Sequence, residues 1–136
     1  MRFANVVGPG DHGVSAKKNV LTYLIRKIKR NEPIELLDGG NFYRDYIHVN
    51  DLCRAVNMII EHGEVNTIYN VGNGVPTRFR DAIDYVIART GSTSAVTVRG
   101  TGVPETKHMN VDRLFALGYR PAWTVSHTLD DLIQHG

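Results

Sequence analysis

The chain has 136 residues, 42% of them hydrophobic and 22% charged, with a single cysteine and a formal net charge of +2. That length suits one domain able to bury roughly two-thirds of its unfolded surface, and the apolar content excludes wholesale disorder. A lone Cys53 excludes an internal disulfide and a zinc framework. No apolar run nears the ~20 residues of a membrane span, and residues 1–7 lack the pattern of a signal peptide, so a cytoplasmic protein is expected.

The charge is unevenly placed. Lys17, Lys18, Arg26, Lys27, Lys29 and Arg30 fall in a stretch without Asp or Glu, giving +6 there against −4 for the rest. Such a stretch suits an anionic partner, whether a phosphorylated small molecule, a nucleic acid or a protein; a solvated helix face is the plainer reading.

In chain order, Phe3 to Val7 is an apolar run closed by Gly8-Pro9-Gly10, which reads as a strand. Residues 17–30 carry Val20, Leu21, Leu24 and Ile28 at helical spacing, an amphipathic helix ended by Pro33. Residues 34–37 and 42–49 are strand-like runs around Asp38-Gly39-Gly40-Asn41, a hairpin signal because those residues tolerate positive φ. Asn50 can cap a helix over 51–61 with Leu52, Val56 and Ile59 inward and Gly63 beyond its end. A strand is expected over 67–72, then a helix over 78–90 capped by Thr77 and stopped by Gly91, then a strand near 95–98. A helical turn starts near Asp112 and stops at Gly118, and Ser126 opens a last helix.

Strands 3–7 and 67–72 read as buried on both faces, with helix 51–61 between them. That is a parallel βαβ unit, and its two strands need further strands and cover on both faces.

Two motifs mislead. Gly8 to Gly13 spells G-x-G-x-x-G after a strand, but a dinucleotide needs a helix opening inside the motif, and here the helix starts later. Tyr23-Leu24-Ile25-Arg26-Lys27 spells Tyr-x-x-x-Lys without a cofactor loop upstream. Arg44, heading a strand after a glycine turn, could fork onto a phosphate or carboxylate, or pair with Asp45 or Asp51. His48 reads as a packed strand histidine, with no second ligand at metal spacing.

Four segments together resemble the extended short-chain dehydrogenase/reductase family, and within it the nucleotide-sugar epimerases and dehydratases. They are Arg2 to Gly10; Arg44-Asp45-Tyr46-Ile47-His48-Val49 with Asp51-Leu52; Tyr69 to Gly74; and Asp112-Arg113-Leu114 through Leu117-Gly118-Tyr119-Arg120-Pro121. The Arg44–Val49 run and Asn19-Val20-Leu21 resemble UDP-glucose 4-epimerases most, whereas residues 102–118 look at least as much like GDP-fucose synthases.

The resemblance implies an α/β fold, the C-terminal part of a Rossmann-type enzyme. Residues 1–10 and 46–75 would be remnants of the Rossmann sheet, including two parallel core strands; 11–45 and 76–136 would form the substrate-binding region. It implies a nucleotide-diphosphate sugar as partner. Asn5, Asn19 and Arg44 would lie on the diphosphate, Leu37 against the base and Glu105 on the ribose. Gly102 stands where the family often has a second phosphate-clamping Arg, with Arg99 the candidate substitute. The family's glycine-rich loop and catalytic Tyr-x-x-x-Lys have no counterpart here. NAD or NADP would therefore belong to the complete enzyme, not bind this chain tightly. No catalytic or metal-ligating residue is expected, and the chain alone should be inactive. An exposed sheet edge beside residues 3–7 should take the missing N-terminal half or a second copy. Neither nucleic acid nor membrane is expected as a partner. The alternative is a non-catalytic module using helix 17–30 to hold an anion, RNA or protein.

Overall fold

The computed structural model describes residues 1–100 and 108–136. In chain order the elements are β1 (Arg2–Phe3), β2 (Asn5–Val7), α1 (Val20–Lys29), β3 (Ile34–Leu37), β4 (Tyr43–His48), α2 (Val49–His62) and β5 (Asn70–Val71). There follow β6 (Pro76–Arg78), α3 (Phe79–Thr90), β7 (Val96–Arg99), α4 (Asp112–Ala116) and α5 (Val125–His135).

The expected parallel pair is present: β1 runs beside β5, Arg2 opposite Asn70 and Phe3 opposite Val71. The same extended run serves a second partner, because β2 pairs in parallel with β4, Asn5 opposite Tyr46 and Val7 opposite His48. Burial on both faces does not hold along its length. Val7 is buried, but Phe3 keeps 52% of its surface exposed.

The expected hairpin is absent. β3 pairs in parallel with β7, Ile34 opposite Val96 through Leu37 opposite Arg99, while β4 goes to β2 and, antiparallel, to β6. The reason lies in the connection. Asp38, Gly39 and Gly40 all take positive φ (48°, 63° and 80°) in a short 3-10 turn. A tight hairpin needs only two such residues; a third swings the chain out of one sheet and into another. Pro76–Arg78, unforeseen as a strand, forms the far edge of β4, Tyr43 opposite Arg78 and Asp45 opposite Pro76. Pro76 sits at the strand's start, where a missing amide is tolerated.

Helix ends also move. Lys17 and Lys18 lie outside α1, because Ser15 and Lys18 exchange two backbone hydrogen bonds (2.8 and 3.1 Å) and Asn19 turns at φ 57°. The cap of α2 is His48 rather than Asn50: its Nδ1 accepts from the Asn50 amide at 3.1 Å. Arg78, not Thr77, precedes α3. Thr124 caps α5, its hydroxyl accepting from the His127 amide.

Two apolar cores result, and β4 divides them. Side chains alternate across a strand, so Tyr46 enters a core built by Ile25 and Ile28 of α1, Ile83 of α3 and Leu132 of α5. Ile47 points the other way, into a smaller core with Ala55, Val71, Leu114 and Tyr119. Among the described residues no helix is long and apolar enough to cross a membrane.

Candidate functional site

Phe42, Arg44 and Tyr46 share one face of the β4 run, and that face forms a wall of a cleft of about 590 Å³. One face of α1 as far as Lys27, Asn5 of β2, Phe79 of α3 and the ends of β3 and β7 contribute the rest. This volume is that of a small-molecule site. Four of the five residues singled out from the sequence meet there: Asn5, Asn19, Leu37 and Arg44. Glu105 lies outside the described residues. Lys17, Lys27 and Arg99 add cationic side chains to the lining.

Each is held differently. Asn5, on β2, donates its side-chain amide to the Asp45 carbonyl at 3.4 Å. Asn19 leaves the first turn of α1 uncapped: its Nδ2 donates to Asp11 Oδ2 at 2.7 Å, and its Oδ1 accepts from Thr22. No acidic residue occupies that first turn, but the Asp11 carboxylate lies against Asn19 at its head and offsets part of the positive end of the helix dipole. Leu37 is about half exposed at the end of β3, opposite Arg99, whose Nε lies 3.1 Å from Glu35 Oε1. The Arg44 guanidinium sits 4.7 Å over the Phe42 ring and donates to the Tyr43 carbonyl at 2.8 Å.

The neighbouring carboxylates have structural work of their own. Asp45 is buried and accepts the amides of Asn73 and Gly74, each at 2.8 Å. Burial pushes its carboxyl above the usual range, although those two amides pull the other way. Asp51, also buried, takes the amides of Ala122 and Trp123 and the Arg54 guanidinium at 2.7 Å. His48 is buried as expected, stacked on Trp123 with ring centroids 3.7 Å apart, its Nε2 3.0 Å from Asp131.

The segment spelling G-x-G-x-x-G does not fit a dinucleotide. No helix opens within it, and the Gly13 amide is already taken by Asp11 Oδ1 at 2.9 Å. The hydrogen bonds from Asn19 and Gly13 hold the Asp11 carboxyl below its usual value, and a carboxylate there opposes a pyrophosphate. Tyr23 and Lys27 both line the cleft, with the Lys27 ammonium 5.9 Å over the Tyr23 ring face. Among the described residues no group of three His, Cys, Asp or Glu could hold a metal.

The basic stretch is not one continuous face. Arg26 donates to the Asp11 carbonyl, Lys27 turns into the cleft, and Arg30 pairs with Glu32 in solvent. Sequence reasoning passed over Phe42 and Tyr46 as parts of the site. Their two-residue spacing from Arg44 was the available signal.

The sequence profile of the NAD dependent epimerase/dehydratase family matches residues 1–72. The chain is 23% identical to a dTDP-4-dehydro-6-deoxyglucose reductase of Escherichia coli, over 98% of this chain and 43% of that protein. It superposes on the UDP-glucose 4-epimerase of Thermotoga maritima, solved with UDP-glucose, with a TM-score of 0.87 at 22% identity. That match covers 98% of this chain and 44% of that one. RMD of Pseudomonas aeruginosa, solved with NADPH, gives a TM-score of 0.85 at 23% identity, over 98% of this chain and 46% of that one. The chain thus has the α/β fold of these Rossmann-type structures while spanning less than half their length.

Proposed function

This chain belongs to the NAD dependent epimerase/dehydratase family, and on that premise we propose that it is the nucleotide-sugar-binding portion of such an enzyme. The observation that carries the reading is convergence. Asn5 on β2, Asn19 before α1, Leu37 on β3 and Arg44 on β4 come from distant points of the sequence and line one cationic cleft. The chemistry matches a diphosphate flanked by a planar base. Arg44 offers a fork of N–H donors, Asn5 and Asn19 offer amides, and the uncapped start of α1 offers backbone N–H groups. Leu37 supplies an apolar contact for the base, and Glu105 an acceptor for ribose hydroxyls.

The cofactor supplies hydride chemistry in complete members of the family. In this reading the chain's part is to bind and orient the sugar nucleotide, and alone it is inactive. On the same reading residues 1–10 and 46–75 are the Rossmann-sheet part and 11–45 and 76–136 the substrate-binding region. The cofactor half, or a second copy, covers the β1–β5 edge, where Met1, Phe3 and Ile68 are about half exposed. The dispersal of the basic side chains described above weighs against a module that holds RNA or protein on the helix 17–30.

Thermal unfolding with UDP-, GDP- and dTDP-sugars, and with NAD alone, tests this reading. A ligand at about 100 times its Kd stabilises the native state by roughly 2.7 kcal/mol. The expected result is a rise in Tm with one nucleotide sugar, absent in Arg44→Ala, and none with NAD. A rise with NAD alone would contradict it.

A further inference from the structure

Arg44 does not reach into the cleft from a loose surface; it stands on a column of rings. Its guanidinium carbon lies 4.7 Å from the centroid of Phe42. Phe42 in turn stacks on Phe79, with centroids 4.8 Å apart and ring planes 17° from parallel. Phe79 opens α3 and is buried in the larger core. The backbone ties the column together, since the Phe79 amide donates to the Phe42 carbonyl at 2.8 Å and Arg44 pairs with Thr77 in the β4–β6 ladder. The turn leading into Phe42 is clamped as well: a Cβ on Gly40 would lie 2.9 Å from the Arg80 amide nitrogen.

We infer that Phe42 is a positioning residue for Arg44, its ring seating the guanidinium so that the fork is already placed for a diphosphate. The inference deepens the reading of the cleft given above and rests on it. An arginine side chain in solvent has many rotamers to lose on binding, and ordering it in advance removes much of that loss. A guanidinium over an aromatic face is held by the ring's quadrupole. Leucine would fill similar space without that field, and tyrosine would keep it.

Binding of inorganic pyrophosphate by isothermal titration calorimetry tests the inference across Arg44→Ala, Arg44→Lys, Phe42→Leu, Phe42→Tyr and the double variant Phe42→Leu/Arg44→Lys. Arg44→Ala should lose at least about tenfold in affinity. Phe42→Leu should lose about fivefold, with Phe42→Tyr close to wild type. Arg44→Lys should cost less in the Phe42→Leu background than alone, because the stacking it abolishes is already gone. Unchanged binding in Arg44→Ala, or none by the wild type, overturns the reading of the cleft and the inference with it. Loss in Arg44→Ala with none in Phe42→Leu, or equal losses in Phe42→Leu and Phe42→Tyr, overturns the inference alone. The ligand-free wild type gives a second readout, independent of whether Phe42→Leu folds. The Arg44 Nε–H resonance should be ring-current shifted and ordered; an averaged, unshifted signal contradicts the inference.

Discussion

Asp45 and Asp131 show how single carboxylates hold this fold together at points remote in sequence. Asp45 closes the Gly72–Gly74 turn by taking two backbone amides. Gly72 has no side chain because a Cβ there would lie 2.7 Å from Asp45 Oδ2. Asp131 of α5 accepts from His48 and His135, each at 3.0 Å. Partial burial raises its pKa, but the two histidine hydrogen bonds outweigh burial and leave the carboxyl below its ordinary value of 3.8. A depressed acid stabilises the native state above the unfolded pKa, and that contribution fades as pH falls through the native one. Asp131→Asn should therefore lower the urea midpoint at about pH 6 and match wild type in strong acid, about pH 2. A difference constant across that range would contradict the account. From sequence, Arg44 could have paired with Asp45 or Asp51. The structure instead gives Asp45 to the Asn73 and Gly74 amides and Asp51 to the Ala122 and Trp123 amides and to Arg54; the amide contacts are set by tertiary closure that no local spacing encodes.

Elements were legible where periodicity decided them and illegible where pairing did. Apolar spacing with cap and stop residues found α1, α2, α3 and α5, their ends shifted by caps that depend on a neighbour, as with His48. The segment 34–49 read as a hairpin because a glycine turn between apolar runs looks the same whether its strands pair with each other or with distant partners. What decides is the turn's backbone, and Gly40 is the position to test. At Gly40, with φ +80°, an added Cβ would meet backbone atoms of Arg80 at 2.9 and 3.1 Å, whereas at Gly39, with φ +63°, it would meet only Val98 at 3.6 Å. Gly40→Ala should destabilise the chain by about 1–3 kcal/mol, with Gly39→Asn close to neutral because asparagine tolerates the left-handed region. Equal losses by thermal unfolding would show that contact with α3 does not fix the turn.

At the scale of the whole molecule, the sequence revealed a family through motifs spread over nearly its full length, and through them the residues that line the cleft. It did not reveal the cleft's walls, since Phe42 and Tyr46 acquire their place only once β4 joins β2 and β6. The chain spans less than half the length of the proteins it resembles. Its β1 pairs with β5 alone among the described residues, and half-exposed Met1 and Phe3 lie along that short strand. An uncovered apolar edge favours association, so light scattering at roughly tens of micromolar, where micromolar affinities populate a complex, should detect a dimer or larger species. A clean monomer would contradict that expectation.

The central claim, that this cleft holds the diphosphate of a nucleotide sugar, is tested most directly by nuclear magnetic resonance. The amide spectrum of the uniformly labelled chain would be followed as UDP-glucose, a GDP-sugar or a dTDP-sugar is added. The account predicts saturable shifts at Asn5, Asn19, Leu37 and Arg44 with at least one of them, and quiet resonances at His62 to Asn66 on the far end of α2. Shifts confined to Gly8 through Gly13, or saturation that leaves Arg44 unmoved, would contradict it.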